Sequence, residues 1–320
     1  MKLRKGLMVL SLLSAIFASG AAPVNAQDKK QVMTTFYPVY YLTQRIAGDK
    51  AEVKMLLDAN QDAHDYETSA RDVATIQQAD AFIYQDDEME HFVPDVIKML
   101  DTDKTQVVKS TEGIELLKGE AHEDDAHDHE SEESHESEAH DHDHDHDHAH
   151  EFDPHTWMDP MVYAKQAENI KNALIQVDPD NKETYEANTQ QLVEELTVLD
   201  AEFREQLATR DNKVFVVQHA AFGYLAHAYG LTQEAITGIS STEEPSAAVL
   251  AQMQSFVKEH QVDVIYVEPA LDTAIAKVVA DASGAELRPL RTLESLTEEE
   301  RAKGEDYFTV MRANLAELTK

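Results

Sequence analysis

The chain lacks cysteine, is poor in basic residues and contains no long apolar run beyond its N-terminus. The absence of cysteine among its 320 residues excludes a disulfide scaffold and any metal site built from thiolates. Lys and Arg number 27 against 62 Asp and Glu, which gives a formal net charge of −35 at pH 7. That charge attracts cations and repels phosphate backbones, so we expect no nucleic-acid partner. Any bound metal must therefore be held by histidine and carboxylate side chains.

The first 26 residues have the features of a secretory signal. Met1–Lys5 carries three positive charges, and Leu7–Ala18 forms an apolar stretch that is too short to span a membrane. Val24–Ala26 fits the small-x-small cleavage pattern, which places the cut before Gln27. We therefore expect an exported protein, periplasmic, extracellular or held at the cell surface. Without cysteine, we also expect that it is not lipid-anchored through that residue.

The alternation of apolar and amphipathic segments predicts an α/β fold of two Rossmann-like lobes. The hydrophobic fraction of 42% is sufficient for each lobe to bury a core. Short apolar runs such as 31–36 (QVMTTF) alternate with longer amphipathic segments in both halves of the chain. This alternation predicts mainly parallel sheets that are covered by helices. We place the N-terminal lobe at 27–177, a linker at 178–211 and the C-terminal lobe at 212–320.

The linker is predicted to be one long, rigid helix. Asp159-Pro160 has the form of a helix start, and the helix that begins there should run to about Val177. Asp178-Pro179 then starts a second helix, with no further Gly or Pro as far as Arg210. Its apolar positions recur at helical spacing, which indicates a rod of roughly 30 residues, or about 45 Å.

A tract at Glu120–His150, hereafter the His/Asp tract, interrupts the N-terminal lobe. It consists almost entirely of His, Asp, Glu, Ser and Ala and holds ten of the sixteen histidines. Such a composition cannot bury apolar surface, so we predict a disordered loop. The alternating residues of Asp141–His148 should bind several metal ions weakly, because ordering a flexible chain around an ion costs entropy. A passive solvated loop is the alternative.

Four candidate metal ligands outside the tract lie near the ends of predicted strands. His64 is in a polar loop after the second strand, and His155 follows the His/Asp tract. His219 follows the strand KVFVVQ, and Glu294 follows the last strand. Ligands bind beyond the carboxyl ends of parallel strands, and two candidates come from each lobe. These positions predict a site in the cleft between the lobes.

Three imidazoles and one carboxylate suit a closed tetrahedral Zn²⁺ site better than a Mn²⁺ site, which favours more carboxylate oxygen. One carboxylate leaves such a site at net charge +1, which the cleft must offset. Asp65 and Asp153 are candidates to accept a ring N–H from the ligands. Glu268, which also lies at a strand end, is an alternative fourth ligand, or else a helix cap or a supporting residue. The remaining ordered histidines, predicted to lie on helix surfaces, are His91, His227 and His260.

At these residues the chain resembles the zinc-specific solute-binding proteins of ATP-binding-cassette importers, often called the ZnuA or AdcA type. The resemblance covers nearly the whole mature chain and includes a His/Asp-rich insertion before the second candidate ligand. The matching segments are 35–38 (TFYP), 64–67 (HDYE), 153–160 (DPHTWMDP), 219–224 (HAAFGY) and 293–297 (LESLT).

The resemblance implies two lobes bridged by a rigid helix, with zinc held in the cleft by His64, His155, His219 and Glu294. His219 indicates zinc, since a manganese member would carry Glu at that position. The implied function is capture of extracytoplasmic Zn²⁺ and delivery to a membrane permease by a monomeric, non-enzymatic protein. Gram-positive members are usually lipoproteins, and some carry an extra C-terminal zinc-binding domain, which we do not expect beyond Lys320.

Three other functions remain as alternatives. A manganese or iron protein of the same class would differ in the metal that it retains. A zinc hydrolase would need an open coordination position for water, and the chain has neither HExxH nor GxSxG. A surface adhesin would not require histidines after strands. Because imidazoles must be neutral to bind zinc, a three-histidine site should lose affinity below about pH 6.

Overall fold

The computed structural model describes residues 29–119, 151–241 and 245–320. The predicted signal segment 1–26 and the His/Asp tract lie outside the described residues. Within the described part of the chain, none of the helices combines the length and the apolar character that crossing a membrane requires.

The N-terminal lobe is built around a parallel sheet with strand order β2-β1-β3-β4. Helix α2 begins at a capping box, in which Ser69 and Asp72 satisfy each other's backbone N–H groups. The elements are β1 (Lys30–Thr34), α1 (Tyr37–Ala47), β2 (Ala51–Met55), α2 (Ala70–Ile76), β3 (Ala81–Tyr84), α3 (Val93–Met99) and β4 (Gln106–Lys109).

Two long antiparallel helices follow the His/Asp tract. After a 3₁₀ turn at Thr156–Met158, α4 (Pro160–Val177) starts where Asp159 accepts hydrogen bonds from two backbone N–H groups of its first turn. A second 3₁₀ turn at Pro179–Asn181 leads into α5 (Lys182–Ala208), which has 27 residues. At 1.5 Å per residue α5 is about 40 Å long, which confirms the prediction of a long helix between the halves.

The C-terminal lobe repeats the architecture, with parallel strand order β6-β5-β7-β8. In both sheets the second strand lies outside the first, and the chain crosses over to the third and fourth strands on the other side. The elements are β5 (Val214–His219), α6 (Gly223–Tyr229), β6 (Thr232–Thr237), α7 (Ala247–Glu259), β7 (Val264–Val267), α8 (Ala274–Ser283), β8 (Glu286–Pro289), α9 (Glu298–Ala302) and α10 (Tyr307–Leu318).

The predicted α/β class with two parallel sheets is confirmed, with two local differences. Helix α9 was not predicted, because its sequence EEERA has no apolar periodicity. It forms instead through a capping box between Thr297 and Glu300. His91 precedes α3 rather than lying in a helix, whereas His227 lies in α6 and is exposed.

One continuous apolar core joins the two lobes. Buried side chains from both sheets and from α1, α4, α5 and α10 form a single cluster, and a second, smaller cluster packs around α7 and α8. Trp157 is fully buried at the junction and donates from Nε1 to the carbonyl of Thr292, at 2.7 Å. The hydroxyl of Tyr307 donates to the Trp157 carbonyl, also at 2.7 Å. The lobes are therefore packed as one body around this tryptophan.

Replacing Trp157 by Phe should destabilise the protein, because it leaves the buried Thr292 carbonyl without its donor. We expect the free energy of unfolding of the metal-free protein to fall by about 1–3 kcal/mol in urea titrations. Circular dichroism is the suitable probe, since Trp157 is the only tryptophan. Val198→Ala, at a position that is 55% exposed, is the control and should stay within about 0.5 kcal/mol of the parent. A Trp157→Phe protein as stable as this control would contradict the role of the bond.

Candidate metal centre

The four candidate ligands lie at the carboxyl-end edge of the sheets, between the lobes. His64 lies in the loop between β2 and α2, and His155 directly precedes the 3₁₀ turn. His219 is the last residue of β5, and Glu294 lies in the loop between β8 and α9. The three histidines are 6%, 0% and 1% exposed, in chain order, and the Glu294 side chain is 15% exposed. The fold thus brings together residues that are up to 230 positions apart in the chain.

The Glu294 carboxylate lies between two imidazoles. Its Oε1 atom is 3.3 Å from Nε2 of His155 and 3.3 Å from Nε2 of His219. One ligand atom each from His64, His155 and Glu294 also lie within 4.8 Å of one another. The His155 ring centroid is 5.4 Å from that of His64 and 5.5 Å from that of His219. His219 is not in that group of three, but its Nε2 atom contacts the same Glu294 oxygen.

The two 3.3 Å distances from Glu294 Oε1 match edges of a tetrahedral zinc site. Bonds of about 2.0–2.1 Å to Zn²⁺ place the ligand atoms about 3.4 Å apart along each edge of the tetrahedron. The Nε2 atoms of His155 and His219 and Oε1 of Glu294 are buried, and none makes a hydrogen bond of regular geometry with the described residues. Buried polar atoms are rarely left in this state, so the arrangement is suited to a cation at its centre.

Two further carboxylates hold the outer nitrogens of the rings. Asp153 Oδ1 is 2.8 Å from Nδ1 of His155, and Glu268 Oε1 is 2.5 Å from Nδ1 of His219. Thr292 in turn donates its hydroxyl to Glu268 Oε2, at 2.6 Å. The Asp153 contact orients the His155 ring so that Nε2, once deprotonated, directs its lone pair at the centre. Glu268 is a close charge partner of His219 Nδ1 but does not form a hydrogen bond of regular geometry with it. The two extra charges also offset the +1 that one carboxylate would leave on a zinc site.

The placement of Glu268 and Asp65 bears on the alternatives left open by the sequence. Glu268 contacts the outer nitrogen of His219, whereas Glu294 contacts the inner nitrogens of two histidines. Asp65, a candidate to accept a ring N–H, has an exposed side chain, whereas Asp153 does accept from His155. Glu268 is therefore placed to support a ligand.

The charges of the site are strongly coupled. Although burial works to lower the pKa of His155, the Asp153 and Glu294 carboxylates raise it to about 9. Burial likewise opposes a charged His219, but Glu268 and Glu294 hold its pKa well above the usual value. Burial would raise the pKa of Glu294, yet the two imidazoles hold it well below its usual range. The metal-free centre therefore carries protonated imidazoles beside an ionised carboxylate at neutral pH.

The segment that carries His155 is held by its neighbours in the N-terminal lobe. Asp153 Oδ1 also accepts the backbone N–H of His155, at 2.9 Å, which forms a tight local turn. Gln85, which follows β3, donates to the carbonyl of Pro154 and to the hydroxyl of Thr156, at 2.9 and 2.6 Å. Sequence reasoning missed Gln85, since a single Gln at a strand end carries no recognisable signal.

Gly223 was also missed, although it lies in the HAAFGY segment beside His219. A Cβ atom added at Gly223, the first residue of α6, would lie 2.4 Å from Oδ2 of Asp153. The backbone of Gly223 is not in the left-handed region that favours glycine, so a larger side chain is restricted there only by lack of space. The missing side chain is what lets Asp153 pack against α6 and reach the His155 ring.

Gly223→Ala should therefore weaken zinc binding without removing a ligand. The new methyl group must displace Asp153 from Nδ1 of His155, and losing such a partner lowers metal affinity by about 10-fold to 100-fold. Competition with a chelator of known affinity measures the change. His227→Ala, on the exposed face of the same helix, is the matched control and should leave the affinity unaltered. Equal affinities for the two variants would contradict the packing argument.

The chain is similar to known proteins along almost its whole length. Residues 32–320 match the family described as ZnuA, zinc-uptake complex component A, periplasmic. The chain is 40% identical over 312 residues to the zinc-binding lipoprotein AdcA of Streptococcus pneumoniae, covering 98% of this chain and 60% of that protein. It is also 40% identical over 291 residues to the high-affinity zinc uptake system protein ZnuA of Bacillus subtilis, covering 91% of this chain and 87% of that one.

A solved structure is similar over the same region. The crystal structure of the Zn(II)-bound ZnuA-like domain of S. pneumoniae AdcA has a TM-score of 0.74 and 39% identity, covering 91% of this chain and 98% of that one. The chain spans about 60% of the length of the AdcA proteins that it matches. Because the family match extends over nearly all of the described residues, this chain belongs to the ZnuA family.

Proposed function

We propose that this chain captures Zn²⁺ outside the cytoplasmic membrane and delivers it to the permease of an ATP-binding-cassette importer. The observation that carries the proposal is the convergence of imidazoles and a carboxylate from both lobes, with Glu294 3.3 Å from two ring nitrogens. The names of the S. pneumoniae and B. subtilis relatives, one zinc-binding and one a zinc uptake protein, support zinc as the cargo.

The proposed ligands are His64, His155, His219 and Glu294, with zinc as a transported ion rather than a resident cofactor. Four protein ligands complete a tetrahedron and leave no position for an activated water. Such a site binds and releases the ion without chemistry, which supports a non-enzymatic role. The same four ligands argue against the manganese or iron alternative, because three imidazoles and a single carboxylate favour zinc.

Capture and release require only local movement in this arrangement. His219 is the last residue of β5, and His155, although outside any helix or strand, is held by two contacts with Asp153. His64 and Glu294 lie on two other loops, also outside any helix or strand. Because one apolar core joins the lobes, a wide opening would expose that core to water at a large cost. We infer that the two loops move while the lobes stay packed. The domain limits 27–177, 178–211 and 212–320, the monomeric state and the exported location stay predictions.

The adhesin alternative predicts a different dependence on metal. A protein whose partner surface does not involve the four candidate ligands would neither gain stability from zinc nor lose function on their removal. A ligand bound in the cleft, by contrast, stabilises the folded state in proportion to its occupancy.

Replacing each candidate ligand by Ala should abolish tight zinc binding in a protein that lacks the His/Asp tract. The tract can be shortened, because its ends are adjacent: the backbone N–H of Gly119 donates to the carbonyl of Glu151, at 3.0 Å. We expect one zinc per chain in the tract-deleted parent and in the control His260→Ala, which is exposed. Metal analysis after dialysis against a weak chelator checks the count. A His155→Ala protein that retains its zinc would overturn the ligand assignment.

The His/Asp tract is proposed to concentrate zinc near the cleft. Its deletion should then reduce zinc uptake by cells at limiting zinc and leave the affinity of the cleft site unaltered. The measurement is uptake of labelled zinc by matched strains. Uptake that is independent of the tract would favour a passive loop.

Zinc affinity should rise with pH between 6 and 8.5. The pKa of about 9 for His155 means that a proton must leave before Nε2 can bind the ion, so protons compete with zinc throughout this range. The carboxylates thus move the expected loss of affinity to a higher pH than ordinary imidazoles would give. Calorimetry in buffers of different ionisation enthalpy should show net proton release on zinc binding at pH 7. Binding without proton release, or affinity that is constant across this range, would contradict the charge state derived for the centre.

A further inference from the structure

The carboxylate of Asp62 connects the His64 loop to the opposite lobe. Its Oδ1 atom accepts the backbone N–H of His64, at 2.9 Å. Its Oδ2 atom accepts the hydroxyl of Ser241, at 2.7 Å, and Ser241 follows β6 in the C-terminal lobe. One side chain therefore holds the backbone of a candidate ligand and bridges the cleft at the same time.

We propose that Asp62 and Ser241 form a latch that holds the His64 loop closed over bound zinc and sets the rate at which the ion leaves. The proposal rests on the proposed zinc function. Asp62 acts through His64 as a positioning residue and does not itself bind the ion.

The location of the bond favours this role over a purely structural one. The Trp157 and Tyr307 bonds that join the lobes are buried in the apolar core and must persist when the ion leaves. The Asp62–Ser241 bond is only partly buried, so water can replace either partner when it breaks. A bond that exchanges with water at small cost can open and reform without unfolding the protein.

The loop that the latch would hold has no regular secondary structure. Residues 56–69 contain neither helix nor strand, whereas a carboxylate lies against the outer nitrogen of each of the other two rings, Asp153 at 2.8 Å from His155 and Glu268 at 2.5 Å from His219. When zinc holds His64, Asp62 is kept within reach of Ser241. Thermodynamic linkage then requires that the closed latch in turn strengthens the hold on zinc.

The coupling should appear in the dissociation rate. Removing one hydrogen bond of this kind should speed zinc release by about 3-fold to 10-fold. The association rate should change little, since the open loop makes no use of the bond. A merely structural defect would instead lower the stability of the zinc-free protein.

The test is stopped-flow release of zinc from the full chain, loaded with one equivalent and mixed with excess chelator. Ser241→Ala should release zinc faster than the parent, and Ser241→Thr, which keeps the hydroxyl, should restore the parent rate. Ser255→Ala is the matched control, since that exposed hydroxyl bonds only to its own helix at the Ala251 carbonyl. Thermal unfolding of the zinc-free variants should be the same for Ser241→Ala and Ser255→Ala.

A double-mutant cycle separates coupling from independent effects. Asp62→Ala should release zinc faster than Ser241→Ala, because it also frees the His64 backbone. Adding Ser241→Ala to Asp62→Ala should then change nothing further. Release from Ser241→Ala at the parent rate, or effects that multiply in the double variant, would overturn the latch. A parent chain that fails to hold one equivalent of zinc, or a His155→Ala chain that releases it at the parent rate, would instead overturn the proposed function.

Discussion

The centre depends on one arrangement: at the junction of the two lobes, the carboxylates of Asp153, Glu268 and Glu294 pack against buried imidazoles. The inner Nε2 atoms of His155 and His219 lie 3.3 Å from the Glu294 oxygen, without regular hydrogen-bond geometry. Asp153 and Glu268 on the outer nitrogens fix the direction of the rings and supply negative charge. The site is thus arranged for a divalent ion, and protons partly occupy its place when the ion is missing.

The scaffold divides into a rigid part and a part that can move. Trp157, fully buried between the lobes, and the shared apolar cluster around it hold the two sheets in one arrangement. His155 and His219 belong to this rigid part, because each is placed by a strand end or a tight turn and by a hydrogen-bonded carboxylate. His64 and Glu294 come from loops, so under the proposed function these two ligands would leave the ion while the core stays intact.

Much of the fold could be predicted, because local signals dictated it. Apolar runs of strand length indicated the α/β alternation of both lobes, and Asp-Pro at a helix start indicated the two long helices between them. Helix α9 escaped prediction because a capping box formed it rather than an apolar face. The four candidate ligands were proposed because polar residues at the ends of parallel strands share one edge of the sheet. Gln85 and Gly223 were not found, since their importance comes from what lies opposite them.

The sequence by itself determined the kind of chemistry: with no cysteine and with His64, His155 and His219 after strand ends, only a nitrogen and oxygen site was possible. The family resemblance favoured Glu294 over Glu268 as the fourth ligand, and the tertiary structure adds where each carboxylate lies. Glu268 and Glu294 are alike in sequence, yet one contacts an outer ring nitrogen and the other the inner nitrogens. Likewise, Asp62 meets a hydroxyl 179 residues away. The periodicity of a segment predicts which of its faces is buried. It does not predict which remote side chains come within a few ångströms of each other, because that depends on how both sheets pack on one core.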